Sequence, residues 1–493
     1  FIDISIIIGY FILIVTIGIL VSRRSSQNLD SYFLGGKSIP WYVLGISNSS
    51  GMFDITGTMW LVYAAVVYGM KSAWLPWLWP IFNQIIMMVF LSIWLRRSNV
   101  LTGAEWLKTR FGNGKHSEHS HIIVVIFALI SAMGFLAYSF KGIGKFAAVF
   151  LPWDIHPDIY GVIIMGLTAL YVVKGGMRSV VITEVVQFFV MTIASIAVGI
   201  IAMSKVSPDM LKKVIPDGWT NFFFSWNLDM DWSGILDSVN TRIEQDGYSM
   251  FGWLIMMMLF KGFFVSAAGP APNYDMQRVL AAKTPKEAGL MSGFVNITLL
   301  FPRYLMVMGF TILSLVYLQP ELQQMGVNID FEAILPLAIQ RFVPVGLLGL
   351  LLAGLLAAFM STLAATVNAA PAYIVNDIYK KYINKNAEPK KYIQLSYVAS
   401  ILLLICGIGV GFIVDSINDI MLWIVAALWG GYTASNILKW YWWRFNASGF
   451  FWGMAIGILS ALLVPFTFPD LSEIMSFPII FVISTIAAIA GTY

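Results

Sequence analysis

The stretch Gly51-Met52-Phe53-Asp54-Ile55-Thr56-Gly57-Thr58 places a carboxylate inside an apolar segment running from about Pro40 to Val67. A carboxylate at membrane depth is costly, so it normally faces a cavity, a partner or an ion. The flanking glycines let the helix open there and free carbonyl oxygens. In a bilayer such carbonyls persist only where protein, water or an ion satisfies them. A broken helix with a buried carboxylate therefore reads as a cation or solute site near the midplane. Thr56 and Thr58 follow the break as candidate solute contacts. A structural Asp54 bonded to a neighbouring helix is the plainer alternative.

A second oxygen-rich stretch is Ala357-Ala358-Phe359-Met360-Ser361-Thr362. Ser361 and Thr362 offer hydroxyl oxygens, and the Ala358 carbonyl points toward them along the helix. Na⁺, like other hard cations, takes such oxygens. Hydroxyls in membrane helices commonly bond a preceding carbonyl or a neighbouring helix instead, so this stretch gains meaning only beside the break. Lys141 and Lys261 lie inside apolar runs. Either could meet a solute carboxylate, or snorkel, or pair with Asp54. His116, His119 and His121 have metal-compatible spacing but no accompanying second ligand set, which favours a solvated cytoplasmic loop. No phosphate loop and no nucleophile with a base partner is visible, so neither an enzyme nor an ATP-driven pump is supported.

The elements that must position these groups are membrane helices. The 493 residues are 59% hydrophobic and 11% charged, with one cysteine, Cys406. Their mean hydropathy is +0.79. That balance describes an all-α polytopic membrane protein in a lipid bilayer. The net charge of +4 carries no pattern for nucleic acid. Runs of about 20 apolar residues give about 13 transmembrane helices, centred near Ile14, Asp54, Ile85, Phe135, Met165, Thr192, Met257, Val307, Ala358, Leu403, Ile424, Ala455 and Ile483. The first run, from Ile2, is long enough to span rather than serve as a cleavable leader. With the N-terminus outside, alternate loops collect most of the Lys and Arg residues, as a plasma-membrane orientation requires.

The chain divides into an extra helix with its cytoplasmic link (1–37), a first five-helix stretch (38–204), an extracellular loop rich in Trp and Phe (205–247), a second five-helix stretch (248–438), and C-terminal helices (439–493). The two five-helix stretches begin in opposite directions. The second opens with its own breaker, Ala268-Gly269-Pro270-Ala271-Pro272-Asn273. Paired broken helices in matching positions are the mark of an inverted repeat with its site between them.

Several motifs resemble the sodium/solute symporter family in order along the chain. They are Tyr32-Phe33-Leu34-Gly35-Gly36-Lys37, Gly175-Gly176-Met177-Arg178 through Glu184 to Gln187, Gln277-Arg278-Val279-Leu280, and Ala358 with Ser361 and Thr362 followed by Asn376-Asp377-Ile378-Tyr379. The resemblance implies a LeuT-type 5+5 inverted-repeat core. It implies sodium as the coupling ion, held by the carbonyls of Met52, Ile55 and Ala358 and the hydroxyls of Ser361 and Thr362. Asp54 matches the sodium/proline symporters. Glu184 resembles the carboxylate of a second sodium site, or else pairs with Arg178. The positions that match a sugar pocket are Met59, Leu78 and Ile81, all apolar, and Phe135 and Pro272 match the proline symporters only in part. The expected function is sodium-coupled symport of a small polar organic solute by alternating access. The alternatives are a proton-coupled transporter of the same fold through Asp54 or Glu184, and a transporter-like sensor. A carboxylate-bearing solute is favoured through Lys141 or Lys261. A neutral sugar would instead use groups such as Asn83, Gln84 and Asn273. The expected location is a bacterial inner membrane.

Overall fold

The computed structural model describes the whole chain except residues 1, 23–27, 54, 75–80, 152, 224, 247–261, 327–328, 415–416, 418–419, 421–422, 469–470 and 472. Asp54, Leu78 and Lys261 therefore lie outside the described residues. Helices account for most of the remainder. Among the described residues the only strand-like pairing is an isolated bridge between Ile39 and Ala282. This is what a bilayer enforces, since each apolar run must satisfy its own backbone.

The helices are α1 (Ile2–Ser22), α2 (Trp41–Met52), α3 (Ile55–Tyr68), α4 (Phe82–Ile86, Met87–Leu91 and Ser92–Arg97 in succession), α5 (Lys115–Phe150) and α6 (Pro157–Lys205). After the connecting loop come α7 (Val265–Ala267), α8 (Tyr274–Ala281), α9 (Pro285–Tyr317), α10 (Leu347–Ala372, continued by Tyr373–Ile383) and α11 (Pro389–Ile413). Then follow α12 (Trp429–Tyr441), α13 (Ala447–Thr467) and α14 (Glu473–Ala490). Among the described residues six helices are long and apolar enough to cross a membrane, and the bent pair α2–α3 makes a seventh. Shorter apolar helices at Ile2–Gly18, Pro157–Ala169 and Ser476–Ala490 match three further expected spans. The run in α6 is two helices joined at Gly176, whose φ of 61° suits only glycine.

Both expected helix breaks are present. α2 stops at Met52, Phe53 leaves helical geometry, and α3 sets off at 60° to α2. In the second half the chain leaves the helix at Gly269, with φ +86°, and resumes at Tyr274, where the Asn273 side chain accepts from the Asp275 N–H at 2.9 Å. The carbonyls freed there are taken by α12: Trp440 Nε1 donates to Ala268 at 3.0 Å and the Tyr432 hydroxyl to Pro270 at 3.1 Å. α2 is enclosed by α6, α9 and α10. Its N-terminus is met by the Glu287 carboxylate, which accepts from the Trp41 N–H at 3.2 Å. Negative charge there complements the helix dipole.

One feature corrects the expectation from sequence. The histidine-bearing segment is not a solvated loop but the first turns of α5. His121 is buried and bonds Asp377 Oδ1 through Nε2 at 2.8 Å, while Lys381 lies 2.6 Å from its Nδ1. This links the start of α5 to the end of α10. The loop between α6 and α7 is partly folded, as expected. Its Trp219 is buried against α3, donating from Nε1 to the Val66 carbonyl at 3.2 Å, and its own carbonyl accepts from the Met70 N–H at 2.9 Å.

Candidate functional site

The end of α2 meets α10 through an oxygen cluster. Thr362 Oγ1 lies 3.0 Å from the Gly51 carbonyl and 3.3 Å from the Ala358 carbonyl. Its neighbour Ser361 donates to Glu184 Oε1 of α6 at 3.1 Å. Both hydroxyl residues and Ala358 are buried. The break frees the carbonyl, and the helical spacing of Ala358, Ser361 and Thr362 puts their oxygens on one stretch of α10 beside it. Carbonyl, hydroxyl and carboxylate oxygens are the donors a hard monovalent cation takes, and a hydroxyl can turn its lone pairs toward an ion by rotating.

The register of the first break differs from expectation by one residue. The carbonyl that faces Thr362 belongs to Gly51. That of Met52 is held instead by Arg303 of α9, whose guanidinium donates at 2.6 Å. Ile55 opens α3, so its carbonyl enters that helix's own hydrogen bonding rather than the break. Of the expected ligand set, Ala358 and Thr362 meet at the Gly51 carbonyl and the neighbouring Ser361 bonds Glu184, while Met52 and Ile55 do not join them.

Glu184 is fully buried and is tied to three elements. It accepts from Ser47 of α2, from Ser361 of α10, and from the Arg278 guanidinium of α8 at 2.5 Å. Arg278 Nε also donates to Ser47 at 3.1 Å. The expected partner Arg178 points elsewhere, to the Gly35 carbonyl at 3.0 Å and the Ser38 hydroxyl at 2.9 Å. The carboxylate thus joins α2, α6, α8 and α10.

Lys141 does not face a solute. Its ammonium sits 2.8 Å from Asp158 Oδ1 at the start of α6, with both side chains largely buried. The helix that carries Lys141 is packed against α6, so a local carboxylate takes the charge. Thr56 is pressed against α5 at Gly142, where an added Cβ would lie 1.9 Å from its Oγ1. Thr58, Asn83, Gln84, Phe135 and Pro272 are buried. Asn273 serves as the α8 cap. Sequence reasoning missed Ser47, Arg278 and Arg303 as site residues. The signal for the arginines was present, because a guanidinium within an apolar run demands a partner.

The sodium:solute symporter family model matches residues 32–457. The chain belongs to the sodium:solute symporter family. Relatives include the sodium/myo-inositol cotransporter of Canis lupus familiaris, 26% identical and covering 94% of this chain and 67% of that protein. The sodium/glucose cotransporter of Vibrio parahaemolyticus is 24% identical, covering 94% of this chain and 85% of the relative. Among solved structures, that of a Na⁺-coupled sialic acid symporter in a substrate-bound outward-open state is similar in fold, with a TM-score of 0.74 at 21% identity. It covers 100% of this chain and 96% of its own. The LeuT-type core expected from the motifs is thereby established. The symporter is a multi-pass membrane protein that couples sodium to the transport of a small solute.

Proposed function

We propose that the symporter drives uptake of a neutral polyhydroxylated solute, a sugar or cyclitol, with sodium bound where α2 breaks beside α10. The observation that carries this reading is Thr362 Oγ1, which touches the Gly51 carbonyl of the break and the Ala358 carbonyl of α10 at once. An ion there would take the Gly51 and Ala358 carbonyls and the Ser361 and Thr362 hydroxyls, with the Glu184–Arg278 ion pair orienting Ser361 from behind. Because these oxygens belong to two helices, binding favours the arrangement that brings the helices together. Solute bound between the breaks favours the same arrangement, so the two affinities are reciprocal. Each Na⁺ moving inward gains roughly 2.3 kcal/mol per 100 mV of membrane potential.

The names of the relatives support a sugar or cyclitol. A carboxylate-bearing solute loses its support from Lys141, whose ammonium Asp158 already holds. The charge distribution of the loops supports an N-terminus on the outer side of the membrane. Proteoliposomes test the reading: an inward Na⁺ gradient should drive accumulation of labelled myo-inositol or glucose, and K⁺ at the same pH should not replace it. Accumulation of amino acids or organic acids alone would overturn the solute class. Uptake driven equally by a proton gradient would overturn the ion.

A further inference from the structure

Among the described residues, several buried polar side-chain atoms near the two helix breaks have no hydrogen-bond partner. Asn48 lies one turn before the end of α2, is 1% exposed, and has neither Oδ1 nor Nδ2 bonded. Asp275 lies in the first turn of α8 with Oδ1 buried and unbonded. α8 packs on α2, which sets the Asn48 amide beside the Asp275 carboxylate. On the other side of the second break, Ser266 Oγ is likewise buried and unbonded. So is Gln84 Oε1, on the part of α4 that packs against α7.

Leaving one such group unsatisfied costs about 1–3 kcal/mol, so those at the breaks call for a polar occupant. Their chemistry narrows its class. The amide of Asn48 both donates and accepts, the carboxylate and Gln84 Oε1 accept, and the serine hydroxyl does either. A hydroxyl group, which also donates and accepts, matches this mixture. An anionic solute would meet Asp275, whose neighbouring cation Arg278 is already bonded to Glu184 and Ser47.

We propose that Asn48 and Asp275 are the solute-recognising pair of the symporter, taking adjacent hydroxyls of a neutral polyol on the α2 and α8 side of the two breaks. The assignment rests on the reading of the symporter as a polyol carrier.

The test uses purified full-length protein in sodium buffer with myo-inositol, glucose and their monodeoxy analogues as probes, read by calorimetry. Asn48→Leu and Asp275→Asn should each bind the parent polyol about tenfold more weakly, the size expected for losing one hydrogen bond to a charged or buried group. The analogue lacking the contacted hydroxyl should bind wild type about tenfold more weakly than its parent, yet bind Asp275→Asn as well as the parent does. The midpoint of the sodium titration should stay within about twofold, which also reports folding. Asp275→Glu keeps the charge and serves where Asp275→Asn does not fold; it should weaken the parent polyol while keeping the preference over the deoxy analogue. If the variants bind parent and analogues as wild type does, the pair is not the recognition site and the polyol reading stands. If wild type binds no polyol in sodium, the reading and the pair fall together.

Discussion

Ser361 and Thr362 carry the sodium hypothesis at the scale of single residues, and each should matter through one oxygen. Ser361→Ala and Thr362→Ala should each raise the sodium concentration for half-maximal uptake by roughly tenfold, in line with a hydrogen-bonding oxygen lost from a buried polar site. Initial uptake rates across a sodium series check this, and an unchanged midpoint in both would misplace the ion. Glu184 and Arg278 raise a different question, because a buried ion pair is weak evidence for stability while breaking it is costly. Arg278→Met alone should destabilise the protein by about 3–5 kcal/mol by leaving Glu184 without its guanidinium. The double change Glu184→Leu with Arg278→Met should recover much of that. Thermal unfolding of the three proteins in detergent measures it, and equal losses in single and double variants would contradict the account.

These two residues also mark what could be read from sequence and what could not. Glu184 was recognisable as a costly charge, but its partner was not, because Arg178 and Arg278 both sit near helix ends and only packing decides which faces the carboxylate. Lys141 shows the same limit. Its burial could be foreseen, whereas its pairing with Asp158 depends on how α5 lies against α6. His121 was misread for a third reason: polar spacing near a span suggested a loop, and the network with Asp377 and Lys381 that buries it is assembled from another helix.

At the scale of elements the breaks were legible because their causes are local. Glycine and proline interrupt helices wherever they stand, so Gly51 and the Gly269 to Asn273 segment announced themselves. The register within the first break was not legible, since Gly51 and Met52 offer carbonyls one residue apart and only Arg303 and Thr362 divide them. Arg303 gives this a test. Arg303→Met removes the donor from the Met52 carbonyl and should cost about 1.5–3 kcal/mol of stability, the range for a hydrogen bond to a charged group. Chemical or thermal denaturation reads the loss, and a variant as stable as wild type would show that the bond does not hold the break. The crossing of α3 and α5 offers a second test. Gly142→Ala would push a methyl into Thr56 and should destabilise by about 1–3 kcal/mol, as overpacking does. Pairing it with Thr56→Ala, which removes the Oγ1 that the methyl would strike, should restore part of the loss.

At the scale of the molecule, composition gave the membrane, hydropathy placed the spans that the described apolar helices occupy, and the two breaks gave the repeat. What remained closed was the solute, because solute recognition lies in the side chains that converge between helices, not in the pattern along one. The central claim is that sodium is held where α2 breaks beside α10. Binding of ²²Na⁺ to the purified symporter and to the Ser361→Ala, Thr362→Ala double variant tests it most directly. Saturable binding should be present in the wild type and lost from a double variant that still unfolds cooperatively. A double variant that binds ²²Na⁺ with wild-type affinity and stoichiometry would contradict it.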